Sequence, residues 1–224
     1  MSGAVSTKAR RIALLAFIGM LVSFVRPPSA QAHPHAWIDV SVTVLFDAAG
    51  QITGLRQTWL FDEFYTLYSL EGLDEDGDGT PDPHLVLDLI SENLKNLKDY
   101  GYFTDVRADK HRVTITQVRD PGATVRDGRL EMQFTADLEA PLDPATQSIT
   151  YAIYDPTYYI EMLHAEDGVP IDLNGAPADC TYSLRPPTPT AETIAFAASL
   201  DRTQSGGDTL GTVFAERVTL KCTP

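Results

Sequence analysis

Two histidines separated by a proline, at residues 33–35, follow an Ala-Gln-Ala tripeptide that is typical of a signal-peptidase site. Cleavage after Ala32 would leave a free amine on His33, and this amine can chelate a transition metal together with the ring Nδ1. Because Pro34 has no amide N–H, the segment cannot form the amino-terminal copper motif that uses a deprotonated amide nitrogen. Imidazole and amine ligands suited to zinc, nickel or copper remain.

The first 32 residues have the parts of a cleavable signal peptide. Lys8, Arg10 and Arg11 precede an apolar run over residues 12–25, which is short for a membrane span. We therefore predict export to the bacterial periplasm and a mature chain of residues 33–224. The alternative is a permanent membrane anchor, which the Ala-Gln-Ala site disfavours.

The two histidines need further ligands, and the next segments indicate where these would lie. Alternating apolar residues over 35–46 and 52–61 predict a β-hairpin closed by a turn at 47–50. If the residues that flank the turn pair with each other, His35 lies opposite Glu63, and a one-residue slip places it opposite Asp62. The alternative is a frayed polar terminus without a metal. We predict a zinc or nickel site formed by His33, His35 and either Asp62 or Glu63.

An acidic loop over residues 74–82 reads Asp-Glu-Asp-Gly-Asp-Gly-Thr-Pro-Asp. Its spacing of carboxylates matches much of a calcium loop of the EF-hand type. Position 12 of such a loop carries a bidentate Glu, and Leu85 stands there instead. The alternative is a solvated loop without an ion. The predicted calcium ligands are Asp74, Asp76, Asp78, Thr80 and Asp82.

The two cysteines, Cys180 and Cys222, predict a disulfide in an oxidising compartment. Closing a loop of this length would stabilise the fold by about 3–4 kcal/mol in the chain-entropy description. A thiolate metal site is the alternative. It is disfavoured because the chain has no Cys-x-x-Cys and no histidine after residue 167.

The charge balance narrows the classes of partner. The chain has 17 basic and 31 acidic residues, for a formal net charge of −14. The first 32 residues hold four basic and no acidic residues, so their removal takes the net charge to −18. Such a surface repels nucleic acid and favours cations or basic partners. Motifs of common hydrolases and phosphate-binding loops are absent, so we expect no enzyme activity.

The elements predict an α+β fold in a single domain, residues 33–224. It should be mainly an antiparallel β-sheet or sandwich with a helical insertion that carries the EF-hand-like loop. Residues 33–104 would hold the hairpin and the helix-loop-helix insertion, and residues 105–224 would be β-rich. The predicted helices are 63–70, 83–100 and 191–200, and Asp120–Gly122 is a predicted turn. The predicted strands after the insertion are 112–118, 129–138, 148–154, 158–163, 180–184 and 212–222.

The chain resembles a bacterial domain-of-unknown-function family, number one thousand and seven, over essentially all of its mature length. The residues that carry the resemblance are 33–39, 59–63, the acidic loop from Asp74, 97–103, 154–159 and 214–222. The resemblance implies a periplasmic component associated with ABC-type transport systems and with nickel, cobalt and zinc transporters.

We therefore expect a periplasmic divalent-metal-binding accessory protein that works with an inner-membrane metal transporter. The rival hypothesis is a non-catalytic module that docks to or senses the transporter, with calcium only stabilising the fold. A copper enzyme that uses His33 is a third hypothesis.

Overall fold

A computed structural model describes residues 33–201 and 203–223 of the chain, and these belong to one compact unit. The predicted signal peptide, residues 1–32, lies outside the described residues. Of the helices in the described part, none is both long and apolar enough to cross a membrane.

The first sheet is built on the predicted hairpin. Strand β1 (Ala36–Phe46) pairs antiparallel with β2 (Ile52–Phe61), which pairs antiparallel with β6 (Arg129–Leu142). The long β5 (Ile115–Arg126) pairs antiparallel with β6 and is the edge strand on this side of the sheet. Residues of β1 alternate between buried apolar and more exposed positions, as the sequence pattern predicts for a sheet with one face in the core.

Two short strands on the other side of β1 run parallel to it. They are β8 (Ile160–His164) and the two-residue β9 (Ile171–Asp172). The sequence analysis did not predict this parallel pairing, because it joins segments more than 100 residues apart. As a consequence β1 is an interior strand of its sheet, with β2 on one side and β8 and β9 on the other.

The second sheet is antiparallel throughout, and its strand order differs from the order in the chain. Direct pairing of Cys180 with Cys222 on its first two strands brings the cysteines together, and the predicted disulfide is confirmed. In spatial order the strands are β10 (Cys180–Arg185), β11 (Arg217–Cys222), β7 (Ile149–Ile153), β3 (Thr104–Ala108) and β4 (His111–Val113).

The helices begin where the sequence places their capping residues. Helix α1 (Glu63–Ser69) follows Asp62, whose side chain accepts the Tyr65 N–H, and α2 (Pro83–Leu97) starts with its proline. A 3₁₀ segment (Lys98–Phe103) extends α2. Two further helices precede β11, namely α3 (Ala191–Ser199) and α4 (Leu210–Phe214).

One buried apolar cluster draws residues from both sheets and from α2. Val86, Ile90 and Leu94 line the buried face of α2 at helical spacing, which places the helical insertion on the core. A second, smaller cluster joins α3 and α4, where the Phe214 ring stacks on Tyr158 with 3.7 Å between centroids. The prediction of a mixed fold with mostly antiparallel strands is confirmed.

Three local predictions are wrong. The strand predicted at 112–118 is divided at Thr114 between β4 in the second sheet and β5 in the first. Asp120–Gly122 does not form a turn between strands. It is a bulge inside β5, where the register with β6 shifts and Asp120 adopts a φ of 54°. Residues 212–222 were predicted as one strand, but residues up to Phe214 form α4 and β11 starts at Arg217. The apolar residues before the strand pack into the small α3–α4 cluster, which requires a helix there.

Candidate metal site

The parallel pairing of β1 and β8 creates the surroundings of His35. The His35 N–H donates to the Tyr159 carbonyl oxygen at 2.8 Å, which continues the ladder beyond the first pair of the two strands. The two side chains therefore lie next to each other, with 4.6 Å between ring centroids. Tyr159 has no local sequence signal as a site residue, because only strand pairing brings it here.

The His33 and His35 rings lie together at the start of β1. Their centroids are 4.9 Å apart in an edge-to-face arrangement, and the His33 ring is also 5.6 Å from Tyr159. His33 is only 5% exposed, and the Nε2 atoms of both histidines are buried. With zinc–nitrogen bonds near 2.0 Å, two imidazoles on one tetrahedral zinc have centroids about 5 Å apart. The observed ring spacing fits shared ligation of one metal ion.

The hairpin register decides where the predicted carboxylates lie. Phe46 pairs with Ile52 as predicted, but a bulge at the turn shifts the rest of the hairpin by one residue. Strand β2 ends at Phe61, so Asp62 lies opposite Trp37, two residues along β1 from His35. The Trp37 N–H donates to one carboxylate oxygen of Asp62 and the Tyr65 N–H to the other, both at 2.9 Å.

Glu63 begins α1 and is exposed. Within residues 33–201 and 203–223, the two histidines do not form a group with Asp62 or Glu63 in which all ligand atoms come within 4.8 Å. The structure thus brings His33 and His35 together and adds Tyr159. Asp62 is engaged in capping α1 and in holding the start of β1.

Tyr65 links Asp62 to Tyr159 electrostatically. Burial raises the pKa of the Tyr65 phenol, a hydrogen bond with Ser69 lowers it, and the charges of Asp62 and Tyr159 raise it further. The Tyr65 and Phe61 rings stack at 4.8 Å, which anchors α1 against the end of β2. Tyr159 thus contacts the histidine pair and interacts electrostatically with Tyr65, which interacts in turn with Asp62.

The acidic loop brings three of its five predicted ligands together. Carboxylate oxygens of Asp74, Asp76 and Asp78 lie within 4.8 Å of one another, and all three residues are exposed. Backbone N–H groups of Gly77 and Gly79 donate to the two oxygens of Asp74, at 2.8 and 3.0 Å. These donors stabilise a concentration of negative charge that would otherwise repel itself.

The two remaining predicted calcium ligands make other contacts. The Thr80 hydroxyl donates to Asp78 at 2.6 Å, and hydrogen bonds from the Thr80 side chain and backbone lower the pKa of Asp78. Asp82 accepts the Glu75 N–H at 2.8 Å. Four residues also separate the end of α1 from the start of the loop, and Leu85, at the last loop position, lies in the first turn of α2. The acidic trio is present, but an EF-hand-like loop is not confirmed.

A third histidine, His164, lies in a buried polar cluster that joins the two sheets. Its ring Nδ1 is 2.8 Å from Glu216, whose carboxylate also accepts the His164 backbone N–H at 2.7 Å. Its Nε2 lies 3.5 Å from the Tyr151 hydroxyl on β7. Burial alone would raise the pKa of Glu216, but the hydrogen bonds and charge of His164 together lower it. His164 is therefore a histidine with protein partners on both ring nitrogens.

The fold and the site define a two-sheet α+β protein in which His33 and His35 contact each other at the start of β1 and an acidic loop is exposed. The profile of a protein family described as "Protein of unknown function (DUF1007)" matches residues 17–222, so the chain belongs to this family.

Two relatives are similar to the chain. An "Uncharacterized protein" of Haemophilus influenzae is 26% identical over 206 residues, which cover 92% of this chain and 96% of that protein. An "Uncharacterized 15.5 kDa protein in trpE 3'region" of Spirochaeta aurantia is 30% identical over 95 residues, which cover 42% of this chain and 67% of that protein.

Proposed function

We propose that the protein binds a divalent transition metal, zinc or nickel, through His33 and His35, and that it is a periplasmic accessory protein of a metal transport system. The observation that carries the proposal is the 4.9 Å spacing of the two imidazole rings. Imidazole nitrogens are the ligands that zinc and nickel commonly take in proteins, and two rings on one ion adopt about this separation.

The surroundings of the pair support cation binding. Tyr159 contacts both rings and offers a phenol oxygen, and Asp62 lies on the neighbouring strand end. If the signal peptide is removed after Ala32, the amine of His33 becomes a further nitrogen ligand. The formal net charge of −14 raises the local concentration of cations around the whole molecule.

The cellular setting in the proposal has two separate supports. The disulfide between Cys180 and Cys222 suits an oxidising compartment, and the signal-like sequence at 1–32 would deliver the chain to the periplasm. The role beside a transporter of nickel, cobalt or zinc rests on the family resemblance alone.

Metal titration of the mature chain tests the proposal. Calorimetry with Zn²⁺ and Ni²⁺ should give saturable binding that weakens at least tenfold in His35→Ala. The matched control is His84→Ala, which removes an exposed histidine from α2 and should leave the affinity unchanged. Equal affinities in wild type and His35→Ala would contradict the proposal. Mass spectrometry of the exported protein should show a chain that starts at His33, and any other start would exclude the amine ligand.

A second candidate function is a docking or sensing module in which calcium serves only the fold. The specific observation in its favour is α1, where Phe64, Leu67 and Tyr68 are 84%, 71% and 80% exposed. These residues share one helix face, and the acidic loop follows this helix in the chain. A transporter surface with an apolar groove and a basic rim would complement this helix.

Calcium distinguishes the second candidate from the first. The acidic trio should bind Ca²⁺ weakly and raise the melting temperature, and Asp76→Ala should remove that rise. A calcium effect with no transition-metal binding would favour the docking module. A transition-metal effect that depends on His35 would favour the metal-binding function.

A further inference from the structure

Four arginines share one face of the second sheet, in a protein that is strongly acidic as a whole. Arg107 and Arg112 are direct partners on β3 and β4, and Arg185 and Arg217 are direct partners on β10 and β11. Direct partners on antiparallel strands have their side chains on the same face. Like charges in such pairs repel each other, and a nearby anion relieves that repulsion.

One carboxylate lies near three of these arginines, all but Arg185. The Asp105 side chain is 3% exposed and lies 2.9 Å from Arg107 Nε, 3.3 Å from Arg112 Nε and 3.8 Å from Arg217 Nη1. A single guanidinium neutralises a buried carboxylate. Around Asp105, three guanidinium groups therefore face one carboxylate.

The contacts with Asp105 also orient the arginines for a second anion. Arg107 and Arg112 use Nε, which leaves the terminal nitrogens of each guanidinium as further donors. One terminal nitrogen of Arg112 lies 3.3 Å from the point where a Cβ on Gly101 would stand. Among the described residues, no acceptor is seen on the terminal nitrogens of Arg112, whose side chain is 62% exposed.

Arg112 lines a surface cavity of about 700 Å³, which is within the usual range for small-molecule sites. Lys98 adds a second cation to the wall, and Tyr154 adds a hydroxyl. The 3₁₀ segment beside it holds Gly101, Tyr102 and Phe103 at φ angles of 62°, 54° and 52°. Non-glycine residues in this region cost energy, and they cluster at ligand sites in proteins.

We propose that this cavity binds a small oxyanion, a carboxylate or a phosphate group, through Arg112 and Lys98, with Asp105 holding the arginines in place. A planar guanidinium bonds both kinds of oxyanion in bidentate fashion. Asp99 and Asp208 also line the cavity, so its wall carries two cations and two carboxylates. A small anion would bind through direct hydrogen bonds to Arg112 and Lys98, whereas the carboxylates would repel a long polyanion. The size and the mixed charge of the cavity therefore favour a small anion over nucleic acid.

Calorimetric titration of the mature chain with inorganic phosphate and, separately, with citrate tests the proposal. Saturable binding of either probe is expected, and the probe that binds more tightly tells phosphate from carboxylate. Arg112→Gln should weaken binding about tenfold or more, because hydrogen bonds to charged groups are involved. The matched control is Arg56→Gln, an exposed arginine on β2, which should leave binding unchanged.

Lys98→Gln keeps the test valid if Arg112→Gln fails to fold. Lys98 is exposed and has no ion pair with Asp105, so its removal should weaken binding several-fold without lowering the melting temperature. The proposal is overturned if neither probe binds. It is also overturned if the folded Arg112→Gln and Lys98→Gln variants bind like wild type, or if Arg56→Gln weakens binding as much as they do.

Discussion

His33 and His164 are buried in two regions of the molecule, and the two regions are built differently. His164 has a partner on each ring nitrogen, Glu216 and Tyr151, and these come from distant parts of the chain. His33 and His35 are two residues apart, and their rings contact each other and Tyr159 at the start of β1.

This difference separates a structural histidine from candidate ligands. Burial raises the pKa of the Tyr151 phenol, so Tyr151 stays protonated and can donate to His164 Nε2, while Nδ1 faces Glu216. A ring held in this way connects β8 in the first sheet to the second sheet. The ring spacing of the histidine pair instead matches that of two ligands on one metal ion. Burial of a histidine is therefore no guide to its role until its neighbours are known.

The largest expected effect is on the His164 region. Glu216→Ala should lower the free energy of unfolding by about 2–4 kcal/mol, because a ring nitrogen and a buried N–H of His164 both lose their acceptor. Urea denaturation measures the change. Glu166→Ala, an exposed glutamate two residues after His164, is the control and should change stability by less than about 0.5 kcal/mol. Equal effects of the two variants would remove the distinction between the regions.

Zinc should stabilise the folded protein by binding to His33 and His35. At a free zinc concentration of 100 times Kd, binding to the folded state alone adds about 2.7 kcal/mol. Thermal unfolding with and without Zn²⁺ should show this gain in wild type and in Glu166→Ala, but not in His35→Ala. If zinc stabilised His35→Ala as much as wild type, zinc would have to bind at a site that does not include His35.

Without metal, the histidine pair should contribute little to stability. We expect His35→Ala to cost about 1 kcal/mol in a chelator-treated sample, because ring contacts such as those with His33 and Tyr159 are individually weak. Urea denaturation of the metal-free variant checks this value. A loss as large as that of Glu216→Ala would show that the pair is structural like His164.

The smallest expected effect is a pH dependence at Glu216. Its pKa in the folded protein is lowered from its ordinary value of 4.5, because the contribution of His164 outweighs burial. The stabilisation is therefore present above that value and is lost as the pH falls through the folded pKa. Unfolding free energies at a series of acidic pH values should fall more steeply for wild type than for Glu216→Gln. If the unfolding free energies of the two proteins fell equally with pH, the lowered pKa of Glu216 would be contradicted.

Local patterns in the sequence predicted most of the elements. Alternation gave the hairpin of β1 and β2, and helical spacing with Pro83 gave α2. Predictions failed where packing overrode the local pattern. The turn expected at Asp120–Gly122 became a bulge within β5, and the segment before Arg217 became α4 because its apolar residues meet Tyr158 and α3.

The candidate site was predicted only in part, because packing again brings in residues that local patterns do not indicate. His33 and His35 are close in sequence, so their types and spacing are sufficient to nominate them. Their third neighbour, Tyr159, was missed because it arrives through a parallel pairing that no local signal announces. A single bulge in the hairpin moved Asp62 to face Trp37, and a residue count along the strands cannot reveal such a shift.

The sequence by itself determined which residues could bind a metal, which cysteines pair, and where most strands and helices begin. These properties depend on side-chain chemistry and on contacts within a few residues. Only the tertiary structure decided that Tyr159 joins the histidine pair, that Glu216 and Tyr151 enclose His164, and that three arginines share Asp105. Tyr159, Glu216 and Arg217 each lie more than about 50 residues along the chain from these partners, and the common core of the two sheets brings them together.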